Sequence, residues 1–599
     1  MTRPHYAPGV PDHIEPPTQP LSSLLENAVA HHGDRVAIDF IGKETTYQEL
    51  SDQVTKAAAM LSLAGVRKGD VVAVALPNCP QHITVAYATW ALGATLAEHN
   101  PLASDAELLA QLENHGANVI VGWENTISRI ADRLTGKTVI AVDLTSALPF
   151  RSRMLLKLPL RAAREQRAKM RARVPEFVHS YEKLLESAPG SFTAVTPDLD
   201  SVAVYLHTGG TTGTPRAACL THRNIMSNYA QIRAWLPMMV DGKETIGAVL
   251  PFFHAFGLGL SLVLSIGLSA TIMALPQFDP HMLLASNRRH PFTFFGGVPP
   301  MYDRILDAMG PKDSFERLKY SVSGAMALDP DLATRWEKAT KSLIIEGYGM
   351  TEASPVISGS PVSEARRPST LGLPFPSVDV RIVDPENITE DVAPGEVGEL
   401  LVKGPNVFAG YLDDEEETEA TLLPGGWLRT GDLVRMEDSF LVMADRKKEL
   451  IINSGFNIYP SQVEEAVRSM PEVRDVAVVG LPDGPKGETV VAALVLEPGT
   501  TVTLDQVRRW TEHKISHYAM PKSIAILDSL PRSQIGKVMR RTVKEQLAEW
   551  ELQAGQWRER VGERAEELLT KAQQGLRDQL DHKDKADDDD QGPGEPDNS

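Results

Sequence analysis

Leu206–Asn224 reads LHTGGTTGTPRAACLTHRN. Gly209, Gly210 and Gly213 carry no Cβ, so the backbone amides of this loop can approach an anion closely. Thr208, Thr211, Thr212 and Thr214 add hydroxyl donors, and Arg216 supplies positive charge just after the turn. No Gly-Lys-Ser/Thr closes the loop, so its spacing is not that of a Walker phosphate loop. On these residues alone a phosphate cradle and a flexible Gly/Thr turn fit equally well.

Outward from the loop, helical and β-rich runs alternate over approximately Asp200 to Leu373. The same alternation fills the first part of the chain: SSLLENAVAHHG, YQELSDQVTKAAAMLSLAG, DVVAVAL, ITVAYATWALG and NVIVG. That pattern predicts α/β layers. From Val378 to Met443 short runs separated by turns (VDVRIVD, GEVGELLVKG, DSFLVMAD) predict a twisted antiparallel subdomain. A fresh α+β unit follows DRKKELII. The expected fold is therefore α/β: a large N-terminal domain of two stacked α/β layers plus a small twisted β subdomain, then a small mobile α+β C-terminal domain. The expected boundaries are 1–445 for the large domain, 446–448 for a hinge, 449–545 for the small domain and 546–599 for a helical extension with an acidic tail. The tail, KDKADDDDQGPGEPDNS, has the composition of a disordered segment.

With 599 residues the chain needs at least two domains. Its 79 acidic and 60 basic residues give a net charge of −19, which disfavours nucleic acid as a partner. Only Cys79 and Cys219 are present, far apart, so neither a disulfide framework nor a zinc site follows, and a reducing cytoplasm is expected. The N-terminal stretch lacks the apolar core of a secretory signal. Thr245–Phe278 contains no Asp, Glu, Lys or Arg and is long enough to span a bilayer. Its prolines, glycines and serines favour instead a buried helix followed by a short strand at Ala270–Leu275.

Six further motifs follow in order: PFFHAFGL (Pro251–Leu258), EGYGMTEAS (Glu346–Ser354), GELLVKGPNVFAGYL (Gly398–Leu412), WLRTGDLV (Trp427–Val434), DRKKELIINSGFNIYP (Asp445–Pro460) and PRSQIGKVMRR (Pro531–Arg541). With the loop, they resemble the adenylate-forming (acyl-activating) enzyme superfamily over roughly residues 20–545. The TGGTTG form looks most like the bacterial long-chain fatty acid–CoA ligases. The resemblance implies an AMP-forming acid–thiol ligase that uses ATP, Mg²⁺ and coenzyme A to make acyl-AMP and then acyl-CoA from a medium- to long-chain fatty acid.

Adenylation brings a carboxylate to a triphosphate, so a metal and cations must offset their repulsion. Glu352 is a hard oxygen donor suited to Mg²⁺; the resemblance makes it the metal ligand with Thr208 as helper, and sets Thr351 at the α-phosphate. Tyr348 offers a ring to pack on adenine, with Gly324, Ala325, Glu346 and Gly347 around it. Asp432 has acceptors for two ribose hydroxyls. By resemblance, Arg446 touches ribose or phosphate, Lys448 is the hinge, and the segment around Gly455 meets the pantetheine channel. Lys537 is the expected catalytic lysine, neutralising charge between the α-phosphate and the attacking carboxylate. His254 is placed beside the carboxylate site, where it gates the pocket. FFGGVPPMYDRIL (Phe294–Leu306) is similar to the family's acyl-pocket wall, with Gly296 and Gly297 leaving room for an alkyl chain.

Two residues depart from the family pattern: Arg216 stands where Lys is usual, and His207 where an aromatic or small polar residue is commoner. A fatty acyl-AMP ligase loading a carrier protein, and a catalytically inactive lipid- or membrane-binding protein, remain the alternative readings. Arg151–Pro175 carries nine basic residues and one Glu beside Met154, Leu155, Leu156, Leu158 and Leu160. It reads as a solvated helix, a contact for the acidic tail, or a peripheral anchor on anionic membrane.

Overall fold

The computed structural model describes residues 5–208, 216–453, 456–483, 487–533 and 536–550. Gly209, Gly210, Thr211, Thr212, Gly213 and Gly455 lie outside the described residues, as do positions 551–599 of the extension and tail. The chain divides into two compact units: Met1–Lys448 with Gln534–Lys537, and Glu449–Ser533 with Val538–Ser599.

Among the described residues the larger unit holds three sheets. In the nine-stranded sheet, Leu343–Gly349, Tyr320–Gly324, Phe294–Gly297, Thr245–Ala248, Thr271–Ala274 and Val36–Phe40 run parallel in that spatial order. Antiparallel strands close both of its edges. In the seven-stranded sheet Thr95–Glu98 sits between Val71–Ala75 and Val202–Thr208, all parallel, and Val202–Thr208 turns back into Arg216–Thr221 as a hairpin. The third sheet is antiparallel and includes Asp379–Val383, Gly398–Lys403, Trp427–Glu437 and Phe440–Arg446.

The helix Pro80–Ala91 shows why two sheets share one core. It is buried all round, its polar Gln81, His82, Thr84 and Thr89 included, and starts at a proline, which tolerates the first helical position. Pro80 through Trp90 are all buried, as expected of a helix enclosed by other elements. Trp90 donates its indole N–H to the Ala203 carbonyl at 3.0 Å. Asn78 donates to the carbonyls of Ala248 (3.2 Å) and Leu250 (2.8 Å) and accepts from the Phe252 amide (2.9 Å), linking the loop after one sheet to the other sheet. The uncharged stretch after Thr245 is buried: a short helix at Ala255–Gly257, a π-helical turn at Leu258–Val263, a helix at Leu264–Gly267, and a strand at Thr271–Ala274. No described helix is long and apolar enough to cross a membrane.

The smaller unit packs its three-stranded sheet of Val473–Pro482, Glu488–Leu496 and Ser523–Ile526 between two apolar clusters. Helices Pro460–Arg468 and Leu504–Thr511 contribute Val463, Val467 and Val507 to one, and Leu530, Val543 and Leu547 belong to the other.

The helix His222–Trp235 begins in a capping box, Thr221 accepting from the Asn224 amide while the Asn224 side chain accepts from the Thr221 amide. Asn224, Asn228 and Gln231 then lie on one helical face, and all are buried. Asn224 donates to the carbonyls of Pro405 (3.0 Å) and Val407 (2.7 Å). Asn228 donates to the Val356 carbonyl and Gln231 to the Pro376 carbonyl, at 2.9 and 2.8 Å. Gln231 also donates to Asn406 Oδ1 at 3.3 Å, and Asn406 donates to the carbonyls of Ala353 (2.9 Å) and Val356 (3.1 Å). Asn406→Ala would remove the side-chain donor to the Ala353 carbonyl and weaken the bonds of Val356 and Gln231, and an unsatisfied buried acceptor costs about 1–3 kcal/mol. The variant is expected to lose stability of that order, read as a lower urea midpoint by Trp fluorescence. A midpoint equal to that of the wild type would show that the amide network carries no stability.

Candidate active site

The carboxyl ends of the parallel strands are where open α/β sheets bind ligands. A cavity of ≈ 100 Å³ opens there in the larger unit, beside the ends of Tyr320–Gly324 and Leu343–Gly349. His254, Gly324, Ala325, Glu346, Gly347, Tyr348 and Thr351 all line it. Ala325 has φ +64°, an uncommon conformation for a residue with a side chain and one that marks functional turns. The rest of its lining is mostly apolar and includes Ile232, Trp235, Leu260, Val322 and Phe375. Trp235 and Phe375 stack with centroids 4.5 Å apart. Gly296 and Gly297 are not among the described lining residues; they sit in a buried strand, where a Cβ on Gly297 would meet the Phe295 ring at 3.1 Å.

Close backbone packing shapes the mouth. A Cβ on Gly257 would lie 2.0 Å from the Pro251 carbonyl oxygen, so only glycine lets this helix approach the loop that carries His254. The His254 Nδ1 accepts from the Phe256 amide at 3.3 Å. Burial lowers the pKa of this imidazole from its ordinary value, so the ring is neutral at pH 7. A neutral, capped ring can gate the cavity without exchanging protons.

Two carboxylates are each held by a phenol. Tyr348 donates to Asp432 Oδ2 at 2.6 Å, and Arg446 Nε lies 3.3 Å from Asp432 Oδ1. Asp432 is positioned by the antiparallel pairing of Trp427–Glu437 with Phe440–Arg446, whose register sets it opposite Arg446. Tyr411 donates to Glu352 Oε1 at 2.8 Å, and the Phe408 amide donates to the Glu352 carbonyl at 2.9 Å. Burial raises the Glu352 pKa above the usual carboxylate range, with the Tyr411 hydrogen bond and the Lys448 charge opposing it. A buried carboxylate favours a partner cation, and hard oxygen donors such as Glu352 and the Thr208 hydroxyl suit Mg²⁺.

Arg216 pairs with Asp414 (3.0 Å) and Glu417 (3.1 Å), at the start of the helix Glu415–Thr421. Any anion approaching Arg216 would compete with these two carboxylates for its charge. Lys448 stands at the division between the two units, and Lys537, half-buried, groups with the larger one. Tyr411 and Asn406 had no role in the sequence reading, although both lie in the quoted GPNVFAGYL motif. Trp235, Asn228 and Gln231 carried no motif signal at all.

The AMP-binding enzyme family matches residues 25–412, and the AMP-binding enzyme C-terminal domain matches 462–537. The chain is 34% identical over 552 residues to a long-chain-fatty-acid–CoA ligase of Bacillus subtilis (strain 168), covering 91% of this chain and 97% of that one. A feruloyl-CoA synthase of Amycolatopsis sp. is 31% identical over 508 residues, covering 84% and 94%. The ATP-bound crystal structure of MatB from Rhodopseudomonas palustris superposes with a TM-score of 0.75 at 27% identity, over 88% of this chain and 98% of that one. Sequence, fold and the residues gathered around the cavity agree: the chain belongs to the AMP-binding enzyme family, whose members form adenylates from ATP.

Proposed function

We propose that this chain is a fatty acid–CoA ligase acting on medium- to long-chain acids. The observation that carries the reading is one cavity whose apolar wall of Ile232, Trp235 and Phe375 meets Tyr348 and Thr351. The first part has the apolar character an alkyl chain needs, and the second carries groups suited to an adenylate. In the first step a carboxylate oxygen attacks the α-phosphorus and pyrophosphate leaves. In the second the sulfur of coenzyme A attacks the acyl carbonyl, the thiol proton is released and AMP leaves. Asp432 accepts the ribose hydroxyls and the Tyr348 ring packs on adenine. Thr351 and Lys537 stabilise the α-phosphate, Arg446 helps at ribose or phosphate, and Arg216 attracts the phosphates. Glu352 with Thr208 would hold Mg²⁺, which neutralises phosphate charge when bound. Lys448 is the proposed pivot of a small domain whose Gly455 segment serves the thiol step.

A panel of acids, including ferulate, scored for AMP formation with and without coenzyme A tests the proposal. Highest turnover with long-chain acids and a rate increase with coenzyme A are expected. A preference for ferulate, or transfer only to a carrier protein, would sink it. In the same assays Lys537→Ala is expected to abolish acyl-AMP formation while largely sparing thioester formation from supplied acyl-AMP. Lys448→Pro, which fixes φ, is expected to do the reverse.

The Tyr411–Glu352 bond predicts a pH effect. Glu352 must be ionised to hold the cation; burial raises its pKa and Tyr411 pulls it back down. Tyr411→Phe removes the opposing donor, so the pKa rises further and the acid limb of the adenylation rate moves to higher pH. An acid limb unchanged in Tyr411→Phe would separate Glu352 from that limb.

We also propose that the enzyme works in the cytoplasm and rests on anionic lipid through the segment that begins near Phe150. Phe150 is 74%, Leu155 62% and Leu160 60% exposed, beside Arg151, Arg153 and Lys157 in the helices Phe150–Leu156 and Arg161–Ala168 and their link. Each basic residue near such a surface adds about 1 kcal/mol, weakened by salt. The far end of the segment is tied to the domain, Trp123 donating to the Met170 carbonyl at 2.9 Å, so point changes test it better than a deletion. Replacing Phe150, Leu155 and Leu160 with Ser is expected to abolish salt-sensitive sedimentation with phosphatidylglycerol vesicles. Equal binding by both proteins, or binding by neither, removes the anchor.

A further inference from the structure

Three histidines that the proposed reaction does not use converge at the carboxyl end of the seven-stranded sheet. The parallel register pairs Glu98 with Leu206, so His99 and His207 follow at neighbouring positions on adjacent strands. His115 closes the helix Asp105–His115. One ring nitrogen from each of the three lies within 4.8 Å of the other two.

The backbone partners fix the protons. His99 Nδ1 lies 3.3 Å from the Val74 carbonyl oxygen and His207 Nδ1 lies 3.3 Å from that of Glu98. Carbonyls only accept, so both Nδ1 atoms carry hydrogen and both Nε2 atoms present lone pairs. His115 Nδ1 accepts from the Ala117 amide at 3.2 Å, which leaves its proton on Nε2, 2.9 Å from His99 Nε2. That donor satisfies His99. His207 Nε2, in contrast, is buried and has no hydrogen-bond partner among the described residues.

We propose that His99, His115 and His207 form a binding site for a transition-metal dication of the Zn²⁺ class, separate from the Mg²⁺ that accompanies ATP. An all-imidazole set suits Zn²⁺, Co²⁺ or Ni²⁺ and not the oxygen-seeking Mg²⁺ or Ca²⁺. The bonds from His99 and His207 Nδ1 to backbone carbonyls are the outer partners that orient metal-binding histidines. Zn–N distances of about 2.0–2.1 Å require the three nitrogens to draw together modestly, with water in the fourth place of a tetrahedron. His115 must pass its Nε2 proton to Nδ1 and give up the Ala117 amide, so no proton is lost overall. His207 immediately precedes Thr208, so a bound ion clamps the strand end from which the phosphate loop departs.

Co²⁺ is the probe, added to the untagged full-length chain. One equivalent is expected to give the visible d–d absorption of a tetrahedral nitrogen site, displaced by Zn²⁺ and unaffected by Mg²⁺. Zn²⁺ is expected to raise the melting temperature of the wild type and leave that of His207→Gln unchanged. His115→Gln, at a partly exposed helix end where folding is least at risk, is expected to lose the band with its near-ultraviolet circular dichroism intact. Absence of the band in the wild type, or a band that survives both substitutions, overturns the proposal.

Discussion

The site depends on a row of buried amides. Asn224, Asn228 and Gln231 project from one helix onto the loop at 405–407, the strand start at Val356 and the Pro376 carbonyl, and Asn406 carries the row on to the carbonyl of Ala353. Polar side chains in a dry interior are tolerated only when their partners are in place. The network therefore admits essentially one arrangement of the loops at 351–356 and 404–408. Glu352 inherits its position from that arrangement, gripped by the Phe408 amide at its backbone and by Tyr411 at its carboxylate.

The electrostatics of the cavity follow from this rigidity. Asp432 and Glu352 are each oriented by a phenolic donor, and Asp432 is in addition paired with Arg446. Arg216 is placed differently, already paired with Asp414 and Glu417. The negative groups are thus set in advance, while Arg216, on the proposed reading, would have to change partners to meet a phosphate. His254 stays out of this exchange because its burial favours the neutral ring.

Much of the architecture could be read from pattern. Alternating runs gave the α/β layers, and the turn-rich stretch from Val378 gave the antiparallel sheet, because periodicity reports directly on which face is buried. The uncharged stretch after Thr245 was legible as a buried helix and strand, and its strand is Thr271–Ala274. The ordered motifs brought His254, Tyr348 and Thr351 to the cavity wall. What pattern missed has a common cause. Asn224, Asn228 and Gln231 occupy one helical face that hydropathy reads as solvent-facing, and only the partners of these amides, far away in sequence, show that it is interior. Arg216 and Asp414 stand 198 positions apart, so no local rule could pair them. Gly296 and Gly297, set in an acyl wall by the resemblance, sit in a buried strand where a Cβ on Gly297 would lie 3.1 Å from the Phe295 ring, and their part in an acyl pocket belongs to the proposal.

The two walls of the cavity differ in how freely they can vary. Tyr348 is tied to Asp432, the Glu346 backbone to Ser360, and the Glu346 carboxylate accepts from the Ser369 amide, so altering that wall disturbs all three. Phe375 meets Trp235 through stacked rings, and Trp235 is also fixed by donating its indole N–H to the Ser360 carbonyl at 3.0 Å, so a change of size at Phe375 alters volume without unfastening that bond or a carboxylate. Relatives that accept unlike acids can arise from a shared nucleotide frame by exchanging such rings. If the apolar side receives the acid, as proposed, diversification of substrate is modular there, with the nucleotide frame left unchanged.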